Sequence, residues 1–327
     1  MKCISSTSQP PDRAELDPLT VLAIKHGTDK WGVHFYTPIY HDLFRNRRHR
    51  ALRLLEIGVG GYGFKTVGGA SLMMWADYFP NAQIVGIDLT EKQLPPHPRV
   101  TILQGSQDNV SFLQGVSKVY GPFDIVVDDG SHILQHVIAS FHALFPLLAD
   151  DGIYVIEDVQ TAFSPEYGGS PTDGGATMGL ARAILTYLNQ SEIRVVDPTW
   201  SIPPFALQIR AMRAYHNLLV VEKGDNTQPS NAAYNLNNAT AARALKTMEC
   251  QTRRAPTPQG IANLSYVYTV GGDHTRACEV VNEALAKWPD DPNLLHAGFL
   301  AAGRRGDHQQ RVDYLERLRR IEPENRN

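Results

Sequence analysis

Hydrophobic positions along the chain fall into two kinds of run. Short, nearly unbroken apolar stretches read as strands of a covered sheet: 51–59 (ALRLLEIGV), 83–89 (QIVGIDL), 100–105 (VTILQG), 123–129 (FDIVVDD) and 152–158 (GIYVIED). Segments 71–79, 109–119, 132–148 and 178–190 read as helices between and after them. Two short helices are expected between Pro18 and Arg48, around HGTDKWGVHFYTPIYHDLF (26–44). Strand–helix alternation predicts an α/β fold, a parallel sheet with helices on both faces. FALQIRAMRAY and HNLLVVEKG (205–224) lie nearly back to back, and strands that close pair only as antiparallel neighbours. They bring the expected sheet to seven strands.

Other segments break this pattern. Residues 1–19, rich in Ser, Pro and charge, read as a flexible N-terminus. The Gly- and Pro-rich stretch 160–178 is too long for a simple connection and reads as a lid. Residues 225–254 read as an Asn/Ala-rich linker that becomes helical. In the tail, Gly272-Asp273 recurs as Gly306-Asp307 and Pro289 as Pro323, both at an offset of 34 residues. Each unit reads helix–turn–helix, 259–271 with 274–288 and 292–303 with 307–320, which resembles tetratricopeptide repeats. The expected organisation is therefore a main domain over 20–224, a linker over 225–254 and an all-α repeat region over 255–327. So few repeats bury little surface alone, which points to packing on the main domain or homo-oligomerisation through the tail.

Composition narrows the function classes. Of 327 residues, 43% are hydrophobic and 20% charged, and the net charge is −3. This balance fits a globular enzyme and argues against a nucleic-acid clamp. Cys3, Cys250 and Cys278 are too few and scattered for a disulfide framework or zinc knuckle. With no apolar run long enough for a membrane span and no hydrophobic leader, a cytoplasmic protein with no membrane partner is expected.

The first strand runs into Glu56-Ile-Gly58-Val-Gly60-Gly61-Tyr62-Gly63, literally GxGxxG, a pattern shared by nicotinamide and S-adenosylmethionine folds. The helix expected from Ser71 starts only after a long loop, so no pyrophosphate cradle is evident. S-adenosylmethionine carries no phosphate and needs none. The antiparallel pair at 205–224 also fits a seven-stranded, Rossmann-like class I methyltransferase sheet better than a dinucleotide sheet. Glu56 is placed to orient the loop or meet the cofactor's ammonium. Asp88, ending the second strand, is placed to accept both ribose hydroxyls, or else to cap a helix. Ser106, Gln107 and Asp108 suit reading of the adenine edge, or a simple turn. A nicotinamide dehydrogenase and an inactive scaffold with a protein-binding tail are the rival readings.

Asp128 and Asp129 end one strand, and Glu157 and Asp158 end the next. Both ends point to the rim where ligands bind in such sheets. Four carboxylates converging there repel unless neutralised, and an all-oxygen set favours Mg²⁺, with Mn²⁺ as the alternative. Asp129, Glu157 and Asp158 are the expected ligands, with Asp128 facing the cofactor. His132 follows across a Gly-Ser turn. Histidine titrates near neutral pH, so His132 is the expected general base for a hydroxyl that attacks the sulfonium methyl.

HGTDKWGVHFYTPIY, LLEIGVGGYG, GGASLMMWADYFP, FDIVVDDGSH and YVIEDVQTAFSPEYGGS together resemble the metal-dependent sugar O-methyltransferases of macrolide biosynthesis, over roughly residues 20–230. The resemblance implies a class I fold, S-adenosylmethionine, Mg²⁺ and a small glycosylated acceptor whose neighbouring hydroxyls meet the metal. It implies the same roles for Asp129, Glu157, Asp158 and His132. It also places Thr28, Asp29, Lys30 and Tyr36 over the cofactor or at the site entrance. The repeat-like tail is unlike that family.

Overall fold

The computed structural model describes residues 16–231 and 233–321. The expected flexible start, with Cys3, and the second repeat proline, Pro323, lie largely outside this range. The chain divides into two compact units. The first takes the residues up to Leu188 together with Pro203–Asn226.

The first unit is built on strands β1 (Arg53–Ile57), β2 (Gln83–Asp88), β3 (Val100–Gln104), β4 (Ile125–Asp128), β5 (Ile153–Ile156), β6 (Ile209–Tyr215) and β7 (Leu218–Lys223). They form one seven-stranded sheet ordered β3-β2-β1-β4-β5-β7-β6. β1 to β5 pair in parallel, while β7 is antiparallel to both β5 and β6. This is the class I methyltransferase sheet expected from the sequence.

Side chains alternate along each strand, so each strand feeds two cores. Leu54, Ile84, Ile125, Val127, Ile153 and Val155 pack under α1 (Pro18–His26), α2 (Thr37–Phe44) and α3 (Ala70–Tyr78), around Tyr40, Trp75 and Phe79. Leu55, Ile57, Val85, Val126, Tyr154 and Ile156 pack under α4 (Val110–Tyr120), α5 (Leu134–Leu144) and α6 (Gly175–Leu188). The helices start where their chemistry dictates. Asp17 caps α1, accepting from the amides of Leu19 and Thr20, and Asn109 caps α4 through the amide of Phe112.

The stretch expected as a lid folds into two 3₁₀ turns, Val159–Phe163 and Pro165–Tyr167, before α6. Its second turn sets the Tyr167 ring edge-on to His132, with centroids 6.3 Å apart.

The second unit takes Asn189–Ile202 and the residues from Thr227 onward. It contains α7 (Gln190–Val196), a helix the sequence reading did not anticipate, and α8 (Ala239–Arg254), which occupies much of the expected linker. α9 (Pro258–Val270), α10 (His274–Leu285), α11 (Pro292–Arg305) and α12 (His308–Ile321) follow. α9 packs on α10, α10 on α11 and α11 on α12, around Tyr268, Val281, Leu294, Leu295 and Tyr314. Pro opens α9 and α11, while Asp273 and Asp291 cap α10 and α11, so the helix–turn–helix periodicity has local causes. Cys250 is an exposed free thiol and Cys278 a buried one.

Candidate active site

Strand parity decides where each acid goes. Glu56 lies on the Leu54 side of β1, facing the α1–α3 layer, and Glu157 follows Val155 on the same side of β5. Both are buried, and both meet Lys30 from the loop between α1 and α2. The Lys30 ammonium lies 3.2 Å from Glu56, 2.7 Å from Asp129 and 2.8 Å from Glu157. Tyr40 donates a short hydrogen bond to Glu157, and the Ser71 hydroxyl donates to Glu56 at 2.9 Å. Burial opposes charge on Lys30, but Asp129, Glu157 and Glu56 outweigh it and hold its pKa well above the ordinary lysine value. Burial, reinforced by Asp129, pushes the Glu157 carboxyl up. Burial likewise raises Glu56.

Asp129, His132 and Asp158 form the outward part of this patch. One ligand atom from each lies within 4.8 Å of the others. His132 Nε2 is 3.7 Å from Asp158 and 4.0 Å from Asp129. Tyr36 donates to Asp158 at 2.8 Å and also to the Asn217 carbonyl at 3.2 Å, in the β6–β7 turn. His34 stacks on Tyr36, with centroids 4.9 Å apart, and sits 3.5 Å from Asp158. His132 (φ 58°) and Asp158 (φ 53°) both hold left-handed backbone, which for non-glycine residues is strained and recurs at functional sites.

The donor set fits a divalent cation. Glu56, Asp129 and Glu157 share the Lys30 ammonium and Asp158 adds a further carboxylate, leaving surplus negative charge, and two carboxylates with an imidazole face one outward point. Asp129 and Asp158 belong to that outward group; Glu157 is instead engaged by Lys30 and Tyr40.

Asp128 and Gln107, both expected at the cofactor, are buried and bonded to each other. Asp128 follows Val126 into the opposite layer, where it accepts from Gln107 at 2.6 Å, Ser140 at 2.5 Å and Tyr154 at 3.0 Å. Burial pushes its carboxyl up to about 7 despite those donors. The Gln107 carbonyl accepts from the backbone and hydroxyl of Ser131, at 2.9 and 3.1 Å. Both ends of that amide are thus committed, and they anchor the turn between Asp129 and His132. Ser106 donates to Asp108 at the surface. Thr28, also buried, lies two residues before Lys30 with its hydroxyl 3.5 Å from the Lys30 amide.

The glycine loop leaves β1 with Gly58 at φ 93° and Gly60 at φ 77°. A Cβ on Gly58 would lie 2.0 Å from the Asp129 carbonyl, so glycine alone lets the two strand ends approach. Gly63 has open space around it, unlike the third glycine of a dinucleotide motif, which packs a helix onto a strand. Asp88 accepts from the amides of Val59 at 3.1 Å and Thr90 at 2.8 Å, and its carboxylate keeps further acceptor sites.

The sequence reading missed Tyr40, His34 and Asn217. Tyr36, Tyr40 and Phe44 recur at four-residue spacing, the mark of a core stripe, which hides the polar end of Tyr40.

No family model matches the chain. It is 42% identical over 229 residues to the 8-demethyl-8-(2-methoxy-alpha-L-rhamnosyl)-tetracenomycin-C 3'-O-methyltransferase of Streptomyces olivaceus, covering 68% of this chain and 57% of that protein. It is 41% identical over 225 residues to the mycinamicin VI 2''-O-methyltransferase of Micromonospora griseorubida, covering 68% and 55%. Among solved structures, the MycE methyltransferase from the mycinamycin biosynthetic pathway, in complex with Mg and SAH, superposes with a TM-score of 0.63 at 40% identity, covering 65% of this chain and 55% of that one. The chain thus spans just over half the length of the curated relatives it matches.

Proposed function

We propose, from the premise that this chain is a relative of the sugar O-methyltransferases of macrolide and tetracenomycin biosynthesis, that it transfers a methyl group from S-adenosylmethionine to a sugar hydroxyl of a small glycosylated natural product. The observation that carries the reading is the convergence of Asp129, His132 and Asp158 at the strand-end rim that also holds the glycine loop and Asp88.

In this reading the loop from Gly58 to Gly60 lies against the cofactor, and Asp88 accepts from its ribose. Asp129 and Asp158 would hold Mg²⁺, or Mn²⁺, with Glu157 beside them in the acid patch. The bound cation supplies charge neutralisation and Lewis acidity toward neighbouring hydroxyls of the acceptor. His132 takes the proton from the attacking hydroxyl, its Nε2 standing 3.7 Å from Asp158 and 4.0 Å from Asp129. Tyr36 fixes Asp158, Gln107 fixes the turn that carries His132, and positioning therefore does much of the work.

A cytoplasmic setting, with the tail mediating self-association, accompanies this reading; light scattering of the full chain tests the second part. The reading itself is tested by calorimetry with S-adenosylmethionine and Mg²⁺, then mass spectrometry against rhamnosylated and other glycosylated acceptors. Binding of both ligands and a gain of one methyl group per acceptor are expected. Folded protein that binds neither would end the proposal.

A further inference from the structure

Beyond the acid patch, a second buried ammonium lies against the glycine loop. Lys92 lies in the loop after β2, and its side chain is 0% exposed. Its three N–H donors lie within hydrogen-bond distance of four backbone carbonyls of the glycine loop, Gly60 at 2.6 Å, Tyr62 at 2.9 Å, Phe64 at 3.1 Å and, at the edge of the range, Val67 at 3.4 Å. It also stands 3.8 Å from Asp88.

The loop is wound to make this cage. Gly60, Gly61 and Tyr62 are three consecutive left-handed residues, at φ 77°, 76° and 49°. The two limbs then close on each other, since a Cβ on Gly61 would lie 2.2 Å from the Val67 carbonyl and one on Gly68 2.5 Å from the Gly60 carbonyl. Carbonyl oxygens gathered at one point repel, and a cation among them reverses the sign of that interaction. Neighbouring contacts add a clasp: the Gln93 amide donates to the Lys65 carbonyl at 2.8 Å, and Lys65 pairs with Glu91 at 2.9 Å.

We propose that Lys92 is a positioning residue for cofactor binding, an internal cation that holds the glycine loop in its wound form beside Asp88. This rests on the reading that the loop receives S-adenosylmethionine. Lys92 acts through the backbone it gathers, and the chemistry of the cage is that of a monovalent cation site built from carbonyls.

The test is Lys92→Ala, with Lys92→Met as a bulk-preserving control, in the full chain. Hydrogen exchange of the free protein should show residues 60–68 losing protection while the strands keep theirs. Calorimetry should show S-adenosylhomocysteine binding weakened about 10- to 100-fold. Methylammonium or ethylammonium should restore both in Lys92→Ala, where the cage is vacated, and much less in Lys92→Met, where methylene bulk fills the approach. Tetramethylammonium, which donates no hydrogen bond, should restore neither. Unchanged loop protection in Lys92→Ala overturns the proposal, and so does a loss that no primary ammonium repairs. A wild-type protein that ignores S-adenosylhomocysteine removes the functional reading instead, and exchange in the free protein still decides the clasp.

Discussion

His132 shows how much a single residue carries. Its imidazole is close enough to both outer carboxylates to serve as a base beside a cation or as a third ligand. His132→Ala separates these. As base, its loss should lower turnover about 10²- to 10⁴-fold while Mg²⁺ titration by calorimetry stays near wild type. Loss of Mg²⁺ binding in that variant would make His132 a ligand. Gln107 gives a second contrast. As an anchor of the Ser131 turn, Gln107→Leu should lower kcat about 10-fold or more and leave the KM for S-adenosylmethionine nearly unchanged. A raised KM with unchanged kcat would return Gln107 to the cofactor. At this scale the sequence was legible where chemistry sits at strand ends, which is how Asp129, His132 and Asp158 could be expected together. It was not legible where a partner is remote. Lys30 and Glu157 stand 127 residues apart, and no local pattern announces that pairing. The sequence reading separated Asp128, as a cofactor contact, from Asp129, as a ligand, but did not foresee that one residue of strand parity sends Asp128 into the opposite layer.

Elements were easier to read than pairings, because their signals are local. The apolar runs of β1, β2, β4 and β5 are covered on both sides, and the capping residues of α1 and α4 stand at the expected starts. α7 was missed for a physical reason. Its seven residues, QSEIRVV, contain three β-branched side chains in the last four positions and have no side-chain N-cap bond, so sequence pattern gives no helix signal. The glycine loop shows that one motif holds residues of unequal weight. Gly58→Ala forces a Cβ onto the Asp129 carbonyl and should destabilise the protein by about 1–3 kcal/mol or more in urea unfolding. Gly63→Ala meets open space, and its unfolding midpoint should stay near wild type. Equal losses at both would mean that the motif acts through flexibility and not through close approach.

For the whole molecule, among the described residues no helix is long and apolar enough to cross a membrane, and stability rests on two separately packed cores in the first unit and a helical core in the second. The helices of the tail were legible in the sequence because their opening prolines and capping aspartates are local signals. A pH dependence belongs at this scale. Glu222, buried on β7, pairs with Arg210 at 2.7 Å and Arg213 at 2.6 Å across the β6–β7 hairpin. Burial pushes its carboxyl up, but the two guanidinium groups outweigh that and leave it below the ordinary glutamate range. A depressed folded-state pKa stabilises above the unfolded value, near 4.3, and that stabilisation disappears as pH falls through the folded value. Glu222→Gln should therefore cost about 1 kcal/mol or less at neutral pH, the half-exposed arginines being screened. The gap between variant and wild-type melting temperatures should close toward pH 3; a gap that widens there would contradict the pairing. The Lys30 ammonium has a consequence for biogenesis. Because the newly made chain brings its own counter-ion to Glu56 and Glu157, the interior can consolidate before any divalent ion arrives. Under the proposed function, folding is thereby insulated from swings in mineral supply, and scarcity of the ion would be felt as idle catalyst, not as misfolded polypeptide.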